Sequence, residues 1–547
     1  MKKRAILMLS ALFLGVMLCA CSKTPAKKAH KKTDLEAPKL SLASGFYSQD
    51  TSVFAVHNYP KNTKIYYTTD GSQPTESAQV LPKTSSLRQL IRGAAHNANY
   101  QPTSPIYSKP QTEPFHGVCL RIAAFLPEKG FTKTTTATYF LGKNPYKCPV
   151  ICISTDPKNL FDAQKGIYVL GNKYYQNPEI ISKYQALPPW LYYRLPANYF
   201  ERGKKWHKKA QFLCIEPNQT SFFCDEVKMS IKGNATRALP QKSLKISFDA
   251  PMHYPILGDT AHQNFADIVL RNGGSDQERA MMRDEFFQSL LINLPLYQQK
   301  FRAAVVFLNG EYWGVHYIRE HINEENLALK YALKPNEIQL LEIANAKFVS
   351  KSSSALAFFE KLEAQCLSAK PNQNEFYKLV KDSFDIENIA AYFAIETYSA
   401  NTDWVSNNVK AWKTTGKKWA FMVYDTDFGF GGNGEPQAYT INMYKKLAES
   451  PHFLGKFFML LMQQKEFSEL YKRTCQELYA SNLSTKNLLQ NLSVLQQNIA
   501  PLMPQQAARW NYPKNWQAEL DTMRVFIQKR PFYAQQQLTV FDFTKPN

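Results

Sequence analysis

The sequence has few of the residues that build metal sites or disulfide frameworks. It contains nine cysteines in 547 residues, none in a Cys-x-x-Cys arrangement, and its ten histidines show no ligand spacing. This pattern argues against a structural zinc site. Two of the cysteines lie in the N-terminal segment, and the odd number that remains leaves isolated buried thiols as the simplest interpretation. Two pairings stay open, Cys148 with Cys152 and Cys214 with Cys224.

A long apolar run is also missing. The run at residues 5–17 follows Lys2, Lys3 and Arg4 and is shorter than the roughly twenty residues that span a bilayer. It ends in Leu-Cys-Ala-Cys, which resembles a bacterial lipobox with Cys21 as the lipidated residue. We therefore predict a signal peptide at residues 1–20, a lipid on Cys21 and a lysine-rich flexible tether over residues 21–36.

Acidic residues are too few to balance the basic ones. The chain has 66 Lys and Arg against 45 Asp and Glu, a net charge of +21, which falls to +18 without the signal peptide. No homeodomain, zinc-finger or RNA-recognition signature accompanies this charge, so nucleic acid is an unfavoured partner. Anionic envelope surfaces, acidic glycans and nucleotide phosphates suit it better. An apolar fraction of 44% and the length indicate a globular protein of more than one domain.

Residues 37–142 have an all-β pattern. The strand run Thr-Lys-Ile-Tyr-Tyr-Thr-Thr at residues 63–69 leads into Asp70-Gly71-Ser72, a turn in which glycine accepts positive φ. The stretch Ile-Tyr-Tyr-Thr-Thr-Asp-Gly-Ser-Gln-Pro-Thr resembles the small β-sandwich at the C-terminus of chitobiases and hexosaminidases. The resemblance implies a spacer or accessory module and leaves glycan binding open. Asp70 fits a turn-forming residue better than a catalytic acid.

Residues 148–540 change from strands to helices. Strand patterns fill residues 211–248, and Asn309-Gly310 marks a hairpin over residues 301–320. Helical patterns follow, and we expect Pro531 to end the last helix. The predicted helices cover residues 280–291, which we expect to be amphipathic, 323–332, 354–367, 385–400, 444–448, 453–461, 466–479, 488–500 and 516–530.

The stretch from residue 396 to residue 432 contains the candidate catalytic and metal-binding residues. Asp403 stands five positions before Asn408, and Asp425 and Asp427 precede Phe428-Gly429. A protein kinase uses this order: an Asp that accepts the substrate hydroxyl proton, an Asn that holds Mg²⁺, and an Asp before Phe-Gly that holds metal. The His-Arg pair that precedes the first Asp in kinases and a glycine-rich phosphate loop are both missing from the sequence.

Five motifs in order resemble the CotH kinase family of atypical protein kinases. They are Gly-Asn-Ala-Thr-Arg with Lys-Ser-Leu-Lys-Ile-Ser-Phe, Leu-Arg-Asn-Gly-Gly-Ser-Asp with Met-Arg-Asp-Glu-Phe, Tyr-Trp-Gly-Val-His-Tyr-Ile-Arg-Glu, Asn-Thr-Asp-Trp-Val-Ser-Asn-Asn, and Tyr-Asp-Thr-Asp-Phe-Gly. The resemblance implies an α+β kinase-like domain with a strand-rich lobe and a helical C-terminal lobe. It also implies ATP and Mg²⁺ as cofactors and Ser or Thr of a protein as acceptor.

The resemblance also assigns roles to residues. Asp403 matches the catalytic aspartate, and the expected metal ligands are Asp425, Asp427, Asn408 and Asn407. The family pattern has Trp before the first metal aspartate, where this chain has Tyr424, and it makes Asp425 at least as good a principal ligand as Asp427. A helix cap at Asp403 and a surface carboxylate pair are the alternatives.

The nucleotide is expected to contact basic residues of the strand-rich lobe. Lys245 lies on the polar face of its strand and is the first choice for the phosphates, with Lys242 as the alternative. Asn234 and Arg237 belong to a turn that could cradle phosphate, although Arg237 could instead brace the lobe. Glu285 is the candidate carboxylate that orients the lysine, with Asp284 and Glu320 as rivals. Arg271, Asn272 and Arg319 are candidates to line the cleft.

The sequence thus predicts a membrane-anchored extracytoplasmic lipoprotein with a β-sandwich at residues 37–142 and a CotH-like kinase domain at residues 148–540. The resemblance implies that this domain transfers phosphate from ATP to Ser or Thr of a protein. Two alternatives of other classes remain: a catalytically inactive envelope scaffold or adhesion protein, and a glycan-binding lipoprotein led by the β-sandwich.

Overall fold

The computed structural model describes residues 36–94, 102–127, 129–185, 195–219, 222–368 and 373–543. The predicted signal peptide, Cys21 and the tether up to residue 35 lie outside the described residues. Within the described ranges, no helix combines the length and apolar character needed to cross a bilayer.

Residues 39–141 form a mostly-strand region. Strands β2, β10, β8, β5 and β6 lie side by side in that order, β9 pairs with β8, and β1–β4 and β3–β7 form two short ribbons. Helix α1 packs against this region. The strands are β1 (Lys39–Leu40), β2 (Gly45–Tyr47), β3 (Ser52–Val53), β4 (Ala55–Val56), β5 (Lys64–Thr68), β6 (Gln79–Val80), β7 (Ser85–Ser86), β8 (Val118–Leu126), β9 (Gly130–Phe131) and β10 (Thr135–Leu141), and the helix is α1 (Leu87–Arg92).

The next strands close on themselves. The closed sheet has the order β11-β12-β13-β14-β15-β17-β16, and parallel pairing of β11 with β16 joins its two ends. Four helices accompany it. The elements are β11 (Val150–Ser154), α2 (Pro157–Phe161), α3 (Asn172–Tyr175), α4 (Pro178–Gln185), β12 (Lys208–Ile215), β13 (Phe222–Ile231), β14 (Leu244–His253), β15 (Asn264–Arg271), α5 (Arg283–Ser289), β16 (Phe301–Leu308) and β17 (Glu311–Glu320).

The rest of the chain is mostly helical, with a small antiparallel sheet of order β19-β18-β20-β21. This confirms the prediction of a strand-rich part followed by a helical part. The elements are α6 (Glu324–Tyr331), β18 (Ile338–Ala344), β19 (Lys347–Val349), α7 (Ser353–Cys366), α8 (Gln373–Ser383), α9 (Ile386–Ser399), β20 (Val409–Thr414), β21 (Ala420–Val423), α10 (Met443–Glu449), α11 (Phe453–Met462), α12 (Lys465–Ala480), α13 (Thr485–Ile499), α14 (Met503–Trp510) and α15 (Trp516–Val540).

Alternation along the strands gives the closed sheet two faces. On β14, Leu244, Ile246 and Phe248 point into an apolar core that fills the closed sheet. The residues between them point outward, so Lys245 is a quarter exposed on the outer face. Part of that outer face packs against the helices in the largest core of the protein. The remaining part is where β14, β15 and β17 present charged side chains.

The turn at Asp70-Gly71 joins the first region to the closed sheet. Gly71 has a φ of +88°, and a Cβ added there would lie 2.4 Å from Oδ1 of Asn309 and from the carbonyl oxygen of Thr155. The predicted hairpin turn at Asn309-Gly310 is confirmed, and Gly310 accepts a backbone hydrogen bond from Gly117 at 2.8 Å. Gly71, the predicted turn glycine, therefore also lets the first region pack closely against the closed sheet, because any side chain at this position would push the two apart.

Two sequence predictions about helices are wrong. The helix expected at residues 280–291 covers only Arg283–Ser289, and six of its seven side chains are buried, so it is a core helix rather than an amphipathic one. The last helix continues through Pro531 to Val540. Ala534 and Leu538 are buried beyond the proline. Their packing offsets the cost of an interior proline, about 3 kcal/mol.

None of the seven cysteines in the described ranges forms a disulfide bond. This confirms the interpretation as isolated thiols over the two open pairings. Burial raises the pKa of Cys214 and Cys152, among others, above the ordinary thiol value. These thiols therefore stay protonated and behave as small apolar side chains.

Candidate functional site

Four carboxylates meet at the largely buried side chain of Arg271, the last residue of β15. Its Nη2 lies 3.0 Å from Asp425 Oδ1 and 2.8 Å from Asp427 Oδ1. Its Nε lies 3.6 Å from Asp284, and its Nη1 lies 3.7 Å from Glu285. These four carboxylates, from α5 and from the loop after β21, form the acidic cluster. One guanidinium thus ties a strand, a helix and a loop together.

A second arginine supports the same cluster from β17. Arg319 Nη1 donates to Asp284 at 2.6 Å and to Glu285 at 2.7 Å, and all three side chains are buried. With every carboxylate ionised the acidic cluster carries −4, the two guanidiniums supply +2, and −2 remains. A site with this balance, buried except at Asp425, favours binding of protons or a cation.

The pKa shifts show which carboxylates of the acidic cluster are stable as anions and which favour protonation. Burial raises the pKa of Asp427 well above its ordinary value despite the nearby Arg271. Burial also raises the pKa of Glu285. For Asp284 burial acts in the same direction, but Arg319 and Arg271 outweigh it and hold the pKa well below its ordinary value. Asp284 is thus the permanent anion, and Asp427 is the carboxylate that gains most from a positive partner.

A glycine pair wraps the loop after β15 around Asp427. Gly273 and Gly274 have φ values of +91° and +60°, and a Cβ on Gly274 would lie 2.2 Å from Asp427 Oδ2. The next residue, Ser275, donates its backbone N–H to the same oxygen at 2.7 Å. Asn272 Oδ1 accepts from the Gly274 N–H at 3.0 Å and steadies the turn. The Arg-Asn-Gly-Gly-Ser sequence is therefore needed to bring backbone and guanidinium to one carboxylate.

The loop between α9 and β20 brings Asp403 to the edge of this cluster. Asn408 Nδ2 donates to Asp403 Oδ2 at 3.0 Å and to the carbonyl oxygen of Asp425 at 3.2 Å. Asn407 Nδ2 approaches the other Asp403 oxygen at 3.3 Å. Asn408 and Asp425 both have positive φ, 59° and 54°, which non-glycine residues adopt at a cost. Asn408 therefore links the predicted base to the predicted metal ligands.

Burial raises the pKa of Asp403 above the ordinary aspartate value. The amides of Asn407 and Asn408 oppose this shift, and the charge of Asp425 adds to it. A carboxylate with a raised pKa is a better proton acceptor than a free aspartate. Asp403 thus has the partners that a general base requires, and no residue of opposite charge neutralises it among the hydrogen bonds described for it.

Asp425 and Asp427 offer few ligands for a metal by themselves. Across the described residues, no group of three or more His, Cys, Asp or Glu side chains is arranged to hold a metal ion. Two aspartates and the Asn408 amide provide hard oxygen ligands of the kind that Mg²⁺ prefers, and Mg²⁺ commonly completes its shell with water and substrate phosphates. The residues present therefore fit a metal that arrives with a phosphate ligand.

Lys245 lies on the outer face of the closed sheet, as predicted, but it pairs with a different carboxylate. Its Nζ is 2.8 Å from Asp267 Oδ2, whereas Glu285 pairs with the arginines. Asp267 also accepts from His321 at 2.7 Å. The expected pairing of Lys245 with Glu285 is thus replaced by a Lys245–Asp267 pair, because Arg271 and Arg319 already occupy the carboxylate of Glu285.

Among the hydrogen bonds and ion pairs of the described residues, none joins Lys242, Arg237 or Asn234 to the acidic cluster. Lys242 Nζ is buried, donates to the carbonyls of Arg237 and Leu239 at 2.6 and 2.8 Å, and lies 3.9 Å from the centre of the Tyr199 ring. Arg237 donates to the carbonyl oxygens of residues 199, 201, 231 and 233. These contacts favour the bracing role for Arg237, which holds backbone carbonyls rather than a carboxylate. Because the Lys242 ammonium group is already bonded to carbonyls, Lys245 is the better candidate to contact phosphate. Asn234 is exposed on the same turn.

Glu320, the third candidate for orienting a lysine, belongs to another group. It pairs with Lys330 at 2.9 Å and accepts from the hydroxyl group of Tyr297 at 3.0 Å. Neither contact reaches the acidic cluster.

Lys232 is a candidate that the sequence reasoning missed. Burial, with the nearby charge of Lys410, lowers its pKa to about 8. Its Nζ lies 3.0 Å from His321 Nε2. Lys410 in turn lies 4.5 Å from the centre of the Tyr424 ring, next to Asp425. The only sequence signal was its place directly before the Gly-Asn-Ala-Thr-Arg turn. Lys232 and Lys245 thus lie close together around His321 and Asp267.

Glu396 at the end of α9 was also missed. It is fully buried, and its carboxylate accepts from Asn401 Nδ2 at 3.0 Å. Its other oxygen, Oε1, has no hydrogen-bond partner, and neither has Oδ1 of Asn401. Burial raises the pKa of Glu396 to about 8. A neutral carboxylic acid therefore anchors the start of the loop that carries Asp403.

We predict that Glu396 makes folding stability depend on pH. The carboxyl group is protonated in the folded chain up to about pH 8 and ionised in the unfolded chain above about pH 4.5. The free energy of unfolding should therefore fall as pH rises through this window, by up to roughly 5 kcal/mol from this group. Glu396→Gln should remove that part. Urea unfolding at pH 5, 6.5 and 8 measures the difference.

The control is Glu387→Gln, an exposed glutamate on the same helix. It should follow the pH dependence of the unmodified chain. If Glu396→Gln and the unmodified chain lose the same stability between pH 5 and 8, the carboxyl group is not protonated in the folded protein.

Comparison with known proteins supports the reading of the motifs. The sequence model of the family described as "CotH kinase protein" matches residues 229–534, more than half of the chain. This range includes the acidic cluster, the Asp403 loop and both candidate lysines. No curated protein matches the chain. The resemblance seen in the motifs is thereby confirmed, and the chain belongs to the CotH kinase family.

Proposed function

We propose that this protein is an active kinase that transfers the terminal phosphate of ATP, with Mg²⁺, to a Ser or Thr hydroxyl of a protein. The observation that carries the proposal is the link made by Asn408. Its amide joins the Asp403 carboxylate, at 3.0 Å, to the Asp425 backbone, at 3.2 Å. A base for the hydroxyl and ligands for the metal are thereby held in one fixed unit.

Asp403 is the proposed general base. It accepts the proton of the acceptor hydroxyl as the oxygen attacks the phosphate, and the raised pKa favours this transfer. The amides of Asn407 and Asn408 hold its two oxygens and fix the carboxylate plane. Membership of the family supports this role at a general level, and the role of this residue is part of the proposal.

Asp425, Asp427 and Asn408 are the proposed metal ligands. The remaining charge of −2 in the acidic cluster equals the charge that one divalent cation supplies. Bound there, Mg²⁺ neutralises phosphate charge and orients the terminal phosphate. Asp425 is the more accessible ligand, with 41% of its side chain exposed, whereas Asp427 is only 3% exposed.

Arg271, Lys245 and Lys232 are the proposed phosphate contacts. Arg271 already contacts both metal ligands through its Nη2. Its guanidinium therefore lies next to the proposed metal position, where it can also contact a phosphate oxygen. Lys232, directly after β13, and Lys245, on β14, add positive charge at His321 and Asp267. Together they would replace the glycine-rich loop that the sequence lacks.

Phosphate transfer to protein is the activity to measure. The mature chain is incubated with Mg²⁺ and ATP labelled in either the γ- or the α-phosphate, with dephosphorylated casein and the chain itself as acceptors. We expect protein labelling from γ-labelled ATP only. Asp403→Ala and Asp425→Ala should each lower the rate at least a hundredfold, because base and metal ligand each contribute two or more orders of magnitude.

The control is Asp382→Ala, an exposed aspartate far from the cluster in sequence. It should label at the rate of the unmodified chain. Equal labelling by all four proteins would refute the proposed roles, and label from the α-phosphate would indicate nucleotidyl transfer instead.

A second candidate function is a catalytically inactive envelope scaffold. The contact of Arg271 with both Asp425 and Asp427 favours it, because a guanidinium that neutralises these carboxylates competes with a metal ion. An active kinase requires Arg271 to give up part of this contact to a metal–phosphate complex. A scaffold keeps the contact and binds no nucleotide.

The proposal places the enzyme outside the cytoplasm, anchored to a bacterial membrane by a lipid on Cys21. Metabolic labelling with an alkyne-tagged fatty acid in a bacterial host tests this placement. The full chain and Cys224→Ala should take up label, and Cys21→Ala should not, because Cys21 is the lipobox cysteine. Label that persists in Cys21→Ala would contradict lipidation at this residue.

A further inference from the structure

An open groove lies on the first region, away from the kinase site. It has a volume of about 440 Å³ and lies between strand β5, strand β6 and helix α1. The residues that line it include Tyr67, Asp70, Ser72, Gln79, Gln89 and Leu90. Its volume lies within the range of small-molecule sites, about 300–1,000 Å³. The groove therefore has room for one or two sugar rings.

Hydroxyl and amide side chains are frequent in the lining of this groove. Threonines 68 and 69, serines 72, 77 and 85, and glutamines 79 and 89 all contribute to it. The Tyr67 hydroxyl donates to Gln79 Oε1, which leaves the amide N–H₂ group of Gln79 as a donor at the groove. Such groups donate and accept in equal measure, as sugar hydroxyls do. The partly buried ring of Tyr67 packs against the core of the first region and also lines the groove with apolar surface.

The charge of the groove sets the class of ligand. Among the described residues that line it, none is Lys or Arg, although the chain as a whole carries +21. Its one carboxylate, Asp70, is held by its own turn, where Oδ1 accepts from the Ser72 N–H at 2.8 Å and from the Ser72 hydroxyl at 2.6 Å. A groove without cations and with an engaged carboxylate suits a neutral ligand.

The floor of the groove is fixed to the closed sheet. The Asp70-Gly71 turn packs against Asn309 and Thr155, and Arg121 Nη1 donates to the Gly71 carbonyl at 2.6 Å. Thr68 Oγ1 donates to the Ser72 carbonyl at 2.7 Å and closes the turn on β5. A molecule held in the groove is therefore held at a fixed position relative to the strand-rich part of the kinase domain.

We infer that this groove binds a neutral, polyhydroxylated glycan, with the Tyr67 ring stacked on a sugar face and Gln79 bonded to its hydroxyls. This function is independent of the kinase reaction. It gives the first region a purpose beyond spacing: it would fix the enzyme to neutral polysaccharide at the cell envelope.

Isothermal titration of the mature chain tests the inference. The probes are linear tetrasaccharides of β-1,4-glucose, β-1,4-N-acetylglucosamine and α-mannose, with a tetramer of galacturonic acid as the charged comparator. We expect at least one neutral probe to bind with a Kd below about 1 mM and more tightly than the acidic tetramer. Tyr67→Ala and Gln79→Ala should each weaken that binding at least tenfold.

Two variants separate groove binding from other effects. Tyr175→Ala removes an exposed tyrosine outside the groove and should bind as the unmodified chain does. Asp403→Ala, which removes the proposed base, should also bind normally, so that loss of kinase activity and loss of glycan binding are distinguishable. Gln79 is exposed at the surface, so its variant is expected to fold even if Tyr67→Ala does not.

The inference fails if no neutral probe binds. It also fails if the acidic tetramer binds more tightly than the neutral probes, or if Gln79→Ala binds as tightly as the unmodified chain.

Discussion

The structure depends on a largely buried group of opposite charges around Arg271. Its guanidinium contacts carboxylates from helix α5 and from the loop after β21. Arg271 is also the last residue of strand β15. Removing one partner of a buried ion pair typically costs about 3–5 kcal/mol, since the other charge stays buried and unpaired. The two halves of the proposed kinase domain are therefore joined at the site itself, and the position of the metal ligands follows from that joint.

The Asp403 loop is fixed at its start by a different set of contacts. Arg530 on α15 donates to the carbonyl oxygens of Thr397 and Tyr398, at 2.7 and 2.8 Å, at the end of α9. Glu396 holds Asn401 at the first turn of the loop. The side chains of Arg530 and Glu396 are both buried. Arg530 donates to backbone carbonyls, and Glu396 accepts from a side-chain amide. The positive φ values of Asn408 and Asp425 are maintained because the chain is held on both sides of them.

Much of the fold and part of the site follow from the sequence, for reasons that differ between residues. Local patterns placed the β5 strand, the Asn309-Gly310 turn and the α9 helix, because alternation, turn chemistry and an Asp385 cap act over short distances. The order of motifs brought Asp403, Asn408, Asp425 and Asp427 into one hypothesis, and the structure places these four together. Whether they act as proposed stays a prediction.

The remainder depends on contacts between residues far apart in the chain. Nothing in the sequence near Pro531 shows that Leu538 will be buried, so the sequence predicts a helix that ends too early. Nothing near Lys245 shows that arginines from two other strands will take Glu285 and leave Asp267 to the lysine. Burial likewise shifts the pKa values of Lys232 and Glu396. The sequence around a single polar residue does not show that it will be buried.

The central claim is that the acidic cluster is a metal–nucleotide site. Calorimetric titration of the mature chain with ATP, in Mg²⁺ and in EDTA, measures it directly. The account predicts micromolar binding with Mg²⁺, loss of at least tenfold in EDTA, and the same loss in Asp425→Asn with Mg²⁺ present. Binding that is equal in both buffers, or absent from both, would contradict it.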